Sequence, residues 1–197
     1  MLLTAVRDRA DSPDRRALFD GLLRDSHRQA YSLAYRLTGN STEAEDLVQE
    51  SYLRAFRFFH RYDRGLPFTS WLYRIMSNAH IDSVRRRGRF RTTSIHATKD
   101  EGGSAWDLPD IESSPDKFLL ENSVEAPIQA ALLAMNPEFR TAVLLADVEG
   151  LAYEEVAEIM GTSVGTVRSR IHRGRKQLRS HLLKHAPEAY RSMSDEL

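Results

Sequence analysis

A stretch without any period most constrains how this chain can fold. From Arg91 to about Asn122 apolar residues recur at neither helical nor strand spacing, and Gly102, Gly103, Pro109 and Pro115 punctuate an acidic, serine-containing run. Roughly 30 residues without structure of their own exceed what a compact domain tolerates, so the chain should divide there. On both sides apolar residues return every three or four positions, the mark of amphipathic helices. The expected class is all-α: two small helical domains joined by a flexible acidic linker. The expected boundaries are a flexible tail over 1–13, a first domain over 14–91, the linker over 92–124, a second domain over 125–185 and a tail over 186–197.

In the first half, Ser12-Pro13-Asp14 reads as a cap and first-turn proline. A helix follows from Asp14 to Leu37, carrying Leu18, Leu22, Ala30, Leu33, Ala34 and Leu37 inward, with room for an interruption near Gly21. Gly39-Asn40 stops it, and Ser41-Thr42-Glu43 is read as the start of the next helix. The inner stripe of that helix is Ala44, Leu47, Val48, Ala55, Phe56 and Phe59, which leaves Glu43, Asp46, Gln49 and Glu50 outward. The loop HRYDRGLP precedes a third helix, Phe68 to Arg87, with Phe68, Trp71, Leu72, Ile75, Met76 and Ala79 facing inward. Trp71 shares their stripe and is assigned to the core. Asn78 falls outside the stripe, so its amide should be partly exposed. Five arginines crowd the seven residues Arg85 to Arg91.

The second half reads as short helices over Ala126 to Met135, Glu138 to Asp147 and Tyr153 to Met160, followed by Thr162 to Arg179. Met160-Gly161-Thr162 has the length and glycine of the turn in a helix-turn-helix, and Ala157 is small enough to let the two helices approach. The last helix can be capped by Thr162 or Ser163. Val164, Val167, Ile171 and Leu178 line one face, while Arg168, Ser169, His172 and Arg173 line another. Six Lys or Arg side chains between Arg168 and Arg179 suit a polyanion, and the second helix of such a motif enters a major groove.

Net charge is zero, which argues weakly against nucleic acid only if charges are evenly mixed. They are not: Thr92 to Val124 holds seven acids against Lys99 and Lys117. The absence of cysteine excludes disulfides and thiolate metal sites and suits a reducing cytoplasm. The first residues turn charged by Arg7 and lack the apolar core of a signal peptide, and no run approaches the roughly 20 apolar residues of a membrane span. Neither cofactor nor metal is expected; His172 has no second histidine four residues away to chelate with. Trp106, in the linker, is either a docking patch on a neighbouring domain or a partner contact.

Three segments together resemble the extracytoplasmic-function class of bacterial RNA polymerase sigma factors: AEDLVQESYLRAFRFF from Ala44, PFTSWLYRIMSNAHIDSVRRR from Pro67, and GLAYEEVAEIMGTSVGTVRSRIHRGR from Gly150. A helix-turn-helix alone would be shared with repressors; its pairing with the two upstream segments discriminates. The resemblance implies that Asp46, Gln49 and Glu50 dock on the clamp helices of the polymerase's largest subunit, although such a strip is otherwise an ordinary solvated face matched to the helix dipole. It implies that the loop around Tyr62 holds a flipped base of the −10 element, with Asn78 reading a base edge and Arg74, Arg85, Arg86 and Arg87 holding phosphate. It places −35 contacts on Arg168, Ser169, His172 and Arg173. His172 departs from relatives with an aromatic there, and base preference at that step stays open. An anti-sigma factor is the implied regulator.

Three rivals account for less, and one of them, a pure protein adaptor, is disfavoured by the two arginine clusters. An autonomous helix-turn-helix repressor or activator leaves the first 90 residues idle. A nucleic-acid enzyme lacks a site, because the histidines are scattered and no metal-type acids cluster.

Overall fold

The computed structural model describes residues 13–90 and 125–190. The acidic linker with Trp106, Arg91, the N-terminal tail before Pro13 and the last residues from 191 lie outside them. Among the described residues every regular element is helical.

Helix α1, Pro13–Thr38, runs through Gly21 without a break, since a Cβ there would meet nothing within 4 Å and the glycine costs only its propensity, about 1 kcal/mol. Gly39 takes φ +69°, a left-handed conformation that ends the helix, and its amide reaches back to the Tyr35 carbonyl at 2.7 Å. Asn40 then caps α2, Ser41–Arg57: its side chain accepts from the Glu43 amide at 3.0 Å. The helix starts at Ser41 as expected, and one Gly-Asn pair serves two helices. The hairpin is antiparallel, because Arg15 near the start of α1 donates to the Phe56 carbonyl near the end of α2 at 2.8 Å.

A 3₁₀ turn, Phe59–Arg61, leads through the loop to α3, Phe68–Phe90, which packs on both earlier helices. Phe19, Leu23, Leu33, Leu37, Tyr52, Leu72 and Met76 are fully buried in this three-helix unit, each apolar side chain contributing about 1.5–3 kcal/mol. Tyr52, outside the expected stripe, is buried with its hydroxyl 2.7 Å from Ser26 Oγ, and burial pushes its pKa up to about 12.

The second half comprises α4, Ala126–Ala134; α5, Pro137–Val143, continuing as a π-helical turn over Leu144–Val148; α6, Tyr153–Met160; and α7, Val164–His185. α7 extends beyond the expected Arg179. A short α8, Pro187–Tyr190, lies within the expected C-terminal tail, and the Tyr190 hydroxyl donates to Glu125 at 2.5 Å. Leu144, Leu145, Val156, Val167 and Ile171 form the core of this half.

The halves are docked. Their buried apolar residues make one continuous cluster, with α4 and α5 against α1 and α6 against α3. Arg140 of α5, 7% exposed, donates to the Leu37 carbonyl at the end of α1 and to the carbonyls of Leu133 and Met135, supplying partners to chain ends that would otherwise lack them. Tyr73 of α3 donates to Glu149 at 2.6 Å.

Candidate nucleic-acid interface

The basic helix is placed as its sequence pattern dictates. Ser163 caps α7 by accepting from the Thr166 amide at 3.2 Å, and Gly161, at φ +59°, supplies the left-handed turn from α6. Val167 and Ile171 are buried beneath, and Gly174 falls on the same stripe. Arg168, Ser169, His172 and Arg173 are consequently all exposed on the opposite face. Two other cations of the helix are occupied internally. Arg175 makes two bonds to Asp147, at 2.9 and 2.5 Å, which raise its pKa and tie α7 to the π-helical turn. Arg170 pairs with Glu138. Both ion pairs tie α7 to α5 and the π-helical turn that follows it.

The residues expected at the −10 element fall in two places. Tyr62 belongs to an aromatic cluster: its ring stacks on Phe59 at 5.6 Å, meets Phe68 edge-on at 5.4 Å and lies 5.3 Å from Trp71. Its hydroxyl donates to the Leu66 carbonyl at 2.8 Å, and Asp63 accepts from the Gly65 amide at 2.9 Å, so the loop is pinned at both ends. Burial leads the causes that raise the Tyr62 pKa. Leu66 at the tip is 59% exposed.

Asn78 is exposed and borders a polar cavity of about 260 Å³ between the halves, lined also by Ser77, Arg85, Glu138 and Arg170. Tyr62 is not among the residues that line this cavity. Seven residues of helix separate Asn78 from Trp71, about 10 Å along the axis. Arg74 and Arg86 are exposed. Arg85 pairs with Glu138 at 2.9 Å and Arg87 with Glu43 at 2.7 Å. On α2, Asp46, Gln49 and Glu50 are exposed as one strip, with Glu50 engaging Arg54 one turn on.

Sequence reasoning missed Glu138 and Arg140. Arg140 carried a legible signal, a lone charge within the apolar run from Phe139 to Leu145, which is where a buried guanidinium held by backbone carbonyls belongs. Burial lowers its pKa, as does nearby Arg87. His80, 3% exposed, is pushed down to about 4 by burial and by the charges of Arg140 and Arg87. Among the described residues no group of three or more His, Asp or Glu is placed to hold a metal ion, and no helix is long and apolar enough to cross a membrane.

This arrangement of a three-helix unit followed by a helix-turn-helix unit is that of the sigma-70 factors. Residues 22–90 match the model of sigma-70 region 2 and residues 125–178 that of sigma-70 region 4. The chain is 43% identical over 189 residues to the extracytoplasmic-function sigma factor SigE of Mycolicibacterium smegmatis, covering 96% of this chain and 71% of that protein. It is 35% identical over 175 residues to the sigma-H factor of Pseudomonas aeruginosa, covering 87% and 89%. It belongs to the extracytoplasmic-function family of RNA polymerase sigma factors. Among solved structures, the sigma factor RpoE of Bartonella quintana in complex with the anti-sigma factor NepR superimposes with a TM-score of 0.59 at 25% identity, over 81% of this chain and 93% of that one. CnrH in complex with the cytosolic domain of CnrY shares the fold, with a TM-score of 0.58 over 91% and 96%.

Proposed function

We propose that the chain directs core RNA polymerase to promoters by reading the two DNA elements with its two halves. Arg168, Ser169, His172 and Arg173 contact duplex −35 DNA; Tyr62, Arg74, Asn78, Arg85, Arg86 and Arg87 hold the −10 strand as it opens; Asp46, Gln49 and Glu50 dock on the clamp helices of the largest subunit. The functional division follows residues 14–91 and 125–185, joined by 92–124. The observation that carries the reading is a solvent-open cationic face on α7 in the same chain as an acidic, solvent-open strip on α2. One face suits phosphate and guanine edges, and the other suits a basic protein surface.

The work is non-catalytic. Binding energy opens the duplex, since unstacking a base costs a few kcal/mol and a stacking contact returns about 1–3 kcal/mol. One similar structure holds a sigma factor with an anti-sigma factor; we infer a regulator of the same class for this chain, and action in the cytoplasm. Co-purification with core polymerase, followed by run-off transcription on a genomic library, tests the reading. Promoter-specific transcripts are expected. Tight duplex binding without polymerase, and no transcripts with it, would instead make this an autonomous helix-turn-helix regulator.

A further inference from the structure

The two DNA-reading surfaces differ in access. The −35 face of α7 is open, whereas Asn78 and Arg85 of the −10 face look into the cavity between the halves. At that cavity the Glu138 carboxylate accepts from Arg85 of α3 and from Arg170 of α7, one guanidinium from each DNA-reading helix. Two cations converging on one compact oxyanion is also how a phosphate is held. Arg140 on the Leu37 carbonyl, Tyr73 on Glu149, and Gly39 packed against Leu133 fasten the same seam.

This docked arrangement cannot engage both elements. Centres roughly 25 base pairs apart lie about 85 Å apart at 3.4 Å per pair, yet Asn78 and Arg170 line a single cavity. The 34 residues from 91 to 124 span at most about 110 Å when extended, enough for the halves to separate.

We propose that Glu138 stands in for a DNA phosphate, latching the free chain in a closed state with its −35 face open and Arg85 of its −10 face engaged by the carboxylate. The proposal rests on Arg85 being a −10 contact, as read above. Opening exchanges the Glu138 carboxylate for a phosphate of the single strand, so promoter binding and domain separation are one equilibrium. Because Arg85 and Glu138 are half-exposed, the latch is a light one, set to be displaced by a polyanion rather than to resist it.

The absence of cysteine allows clean labelling. Spin labels at Arg28→Cys and Glu154→Cys, both exposed and one on each half, report the separation in the full chain by double electron–electron resonance. The unsubstituted latch should give one short distance. Glu138→Gln and, independently, Arg85→Gln should raise the separated population about two- to five-fold. Arg85→Gln leaves the Glu138–Arg170 pair within the second half intact, so a fold defect caused by Glu138→Gln cannot be mistaken for opening. Anisotropy with a fluorescent single-stranded −10 oligonucleotide should show Glu138→Gln binding more tightly by a similar factor. Distances unchanged in both variants would overturn the latch. Longer distances without tighter binding by Glu138→Gln would uphold the latch and remove Arg85 from the −10 contacts.

Discussion

Gly174 of α7 lies so close to Val143 of α5 that a Cβ at position 174 would stand 2.6 Å from Val143 Cγ2, and 3.3 Å from both Met135 Sδ and the Phe139 carbonyl oxygen. The recognition helix is drawn onto its support at this point, midway between Ile171 and Leu178, and its outward face is aimed accordingly.

Gly174→Ala therefore sets two effects against each other. Helix propensity favours alanine by about 1 kcal/mol, and overpacking costs about 1–3 kcal/mol. With a backbone carbonyl among the contacts, overpacking should win, and urea unfolding should show a net loss of up to about 2 kcal/mol. A stabilised variant would mean that Val143 simply turns aside.

Arg168→Ala should weaken binding to a duplex −35 element by about 1–3 kcal/mol and leave polymerase affinity unchanged. Titration against a scrambled −35 element is the control: an equal loss there would reduce Arg168 to a nonspecific phosphate contact.

Tyr62 offers a split between ring and hydroxyl. Tyr62→Ala should reduce permanganate reactivity of −10 thymines more than it reduces duplex binding, by about 1–3 kcal/mol in stacking. Tyr62→Phe keeps the ring on Phe59 but loses the bond to the Leu66 carbonyl, so it should open promoters with an intermediate defect. Unchanged reactivity in the alanine variant would remove the loop from strand capture.

His80 predicts how stability varies with pH. Its folded pKa is about 4 against an ordinary 6.5, so the folded state keeps it neutral where the unfolded chain takes up a proton. Stability attributable to it is complete above pH 6.5 and lost as pH falls toward 4, at up to about 1.4 kcal/mol per unit. His27, also lowered by burial, acts in the same direction. Thermal melts of His80→Leu should show a shallower slope over that window, and an unaltered slope would assign the dependence to carboxylates.

Periodicity placed α2, α3 and the face of α7 because each has one buried stripe, and burial is what a stripe encodes. The start of α2 at Ser41 was legible, but its capping residue was not, since Asn, Ser and Thr all cap and only backbone geometry chooses Asn40. The seam was less legible. Glu138 meets Arg85 and Arg170 at separations of 53 and 32 positions, and Arg140 meets Leu37 at 103, where local pattern has no reach. Asn78 was legible as an amide outside the buried stripe of α3, whereas the cavity it borders is lined also by Glu138 and Arg170, which no local pattern places beside it.

The turn between α1 and α2 is Gly39 and Asn40 alone. So short a joint, with Arg15 closing the far end of the hairpin on Phe56, leaves the two helices no freedom to move apart. The outer edge of this hairpin carries Asp46, Gln49 and Glu50, and its base carries Leu37 and Gly39, which grip the second half. A load applied to the outer edge is thus delivered to the base through a stiff lever, so that a protein seizing α2 pulls directly on the hinge line of the molecule.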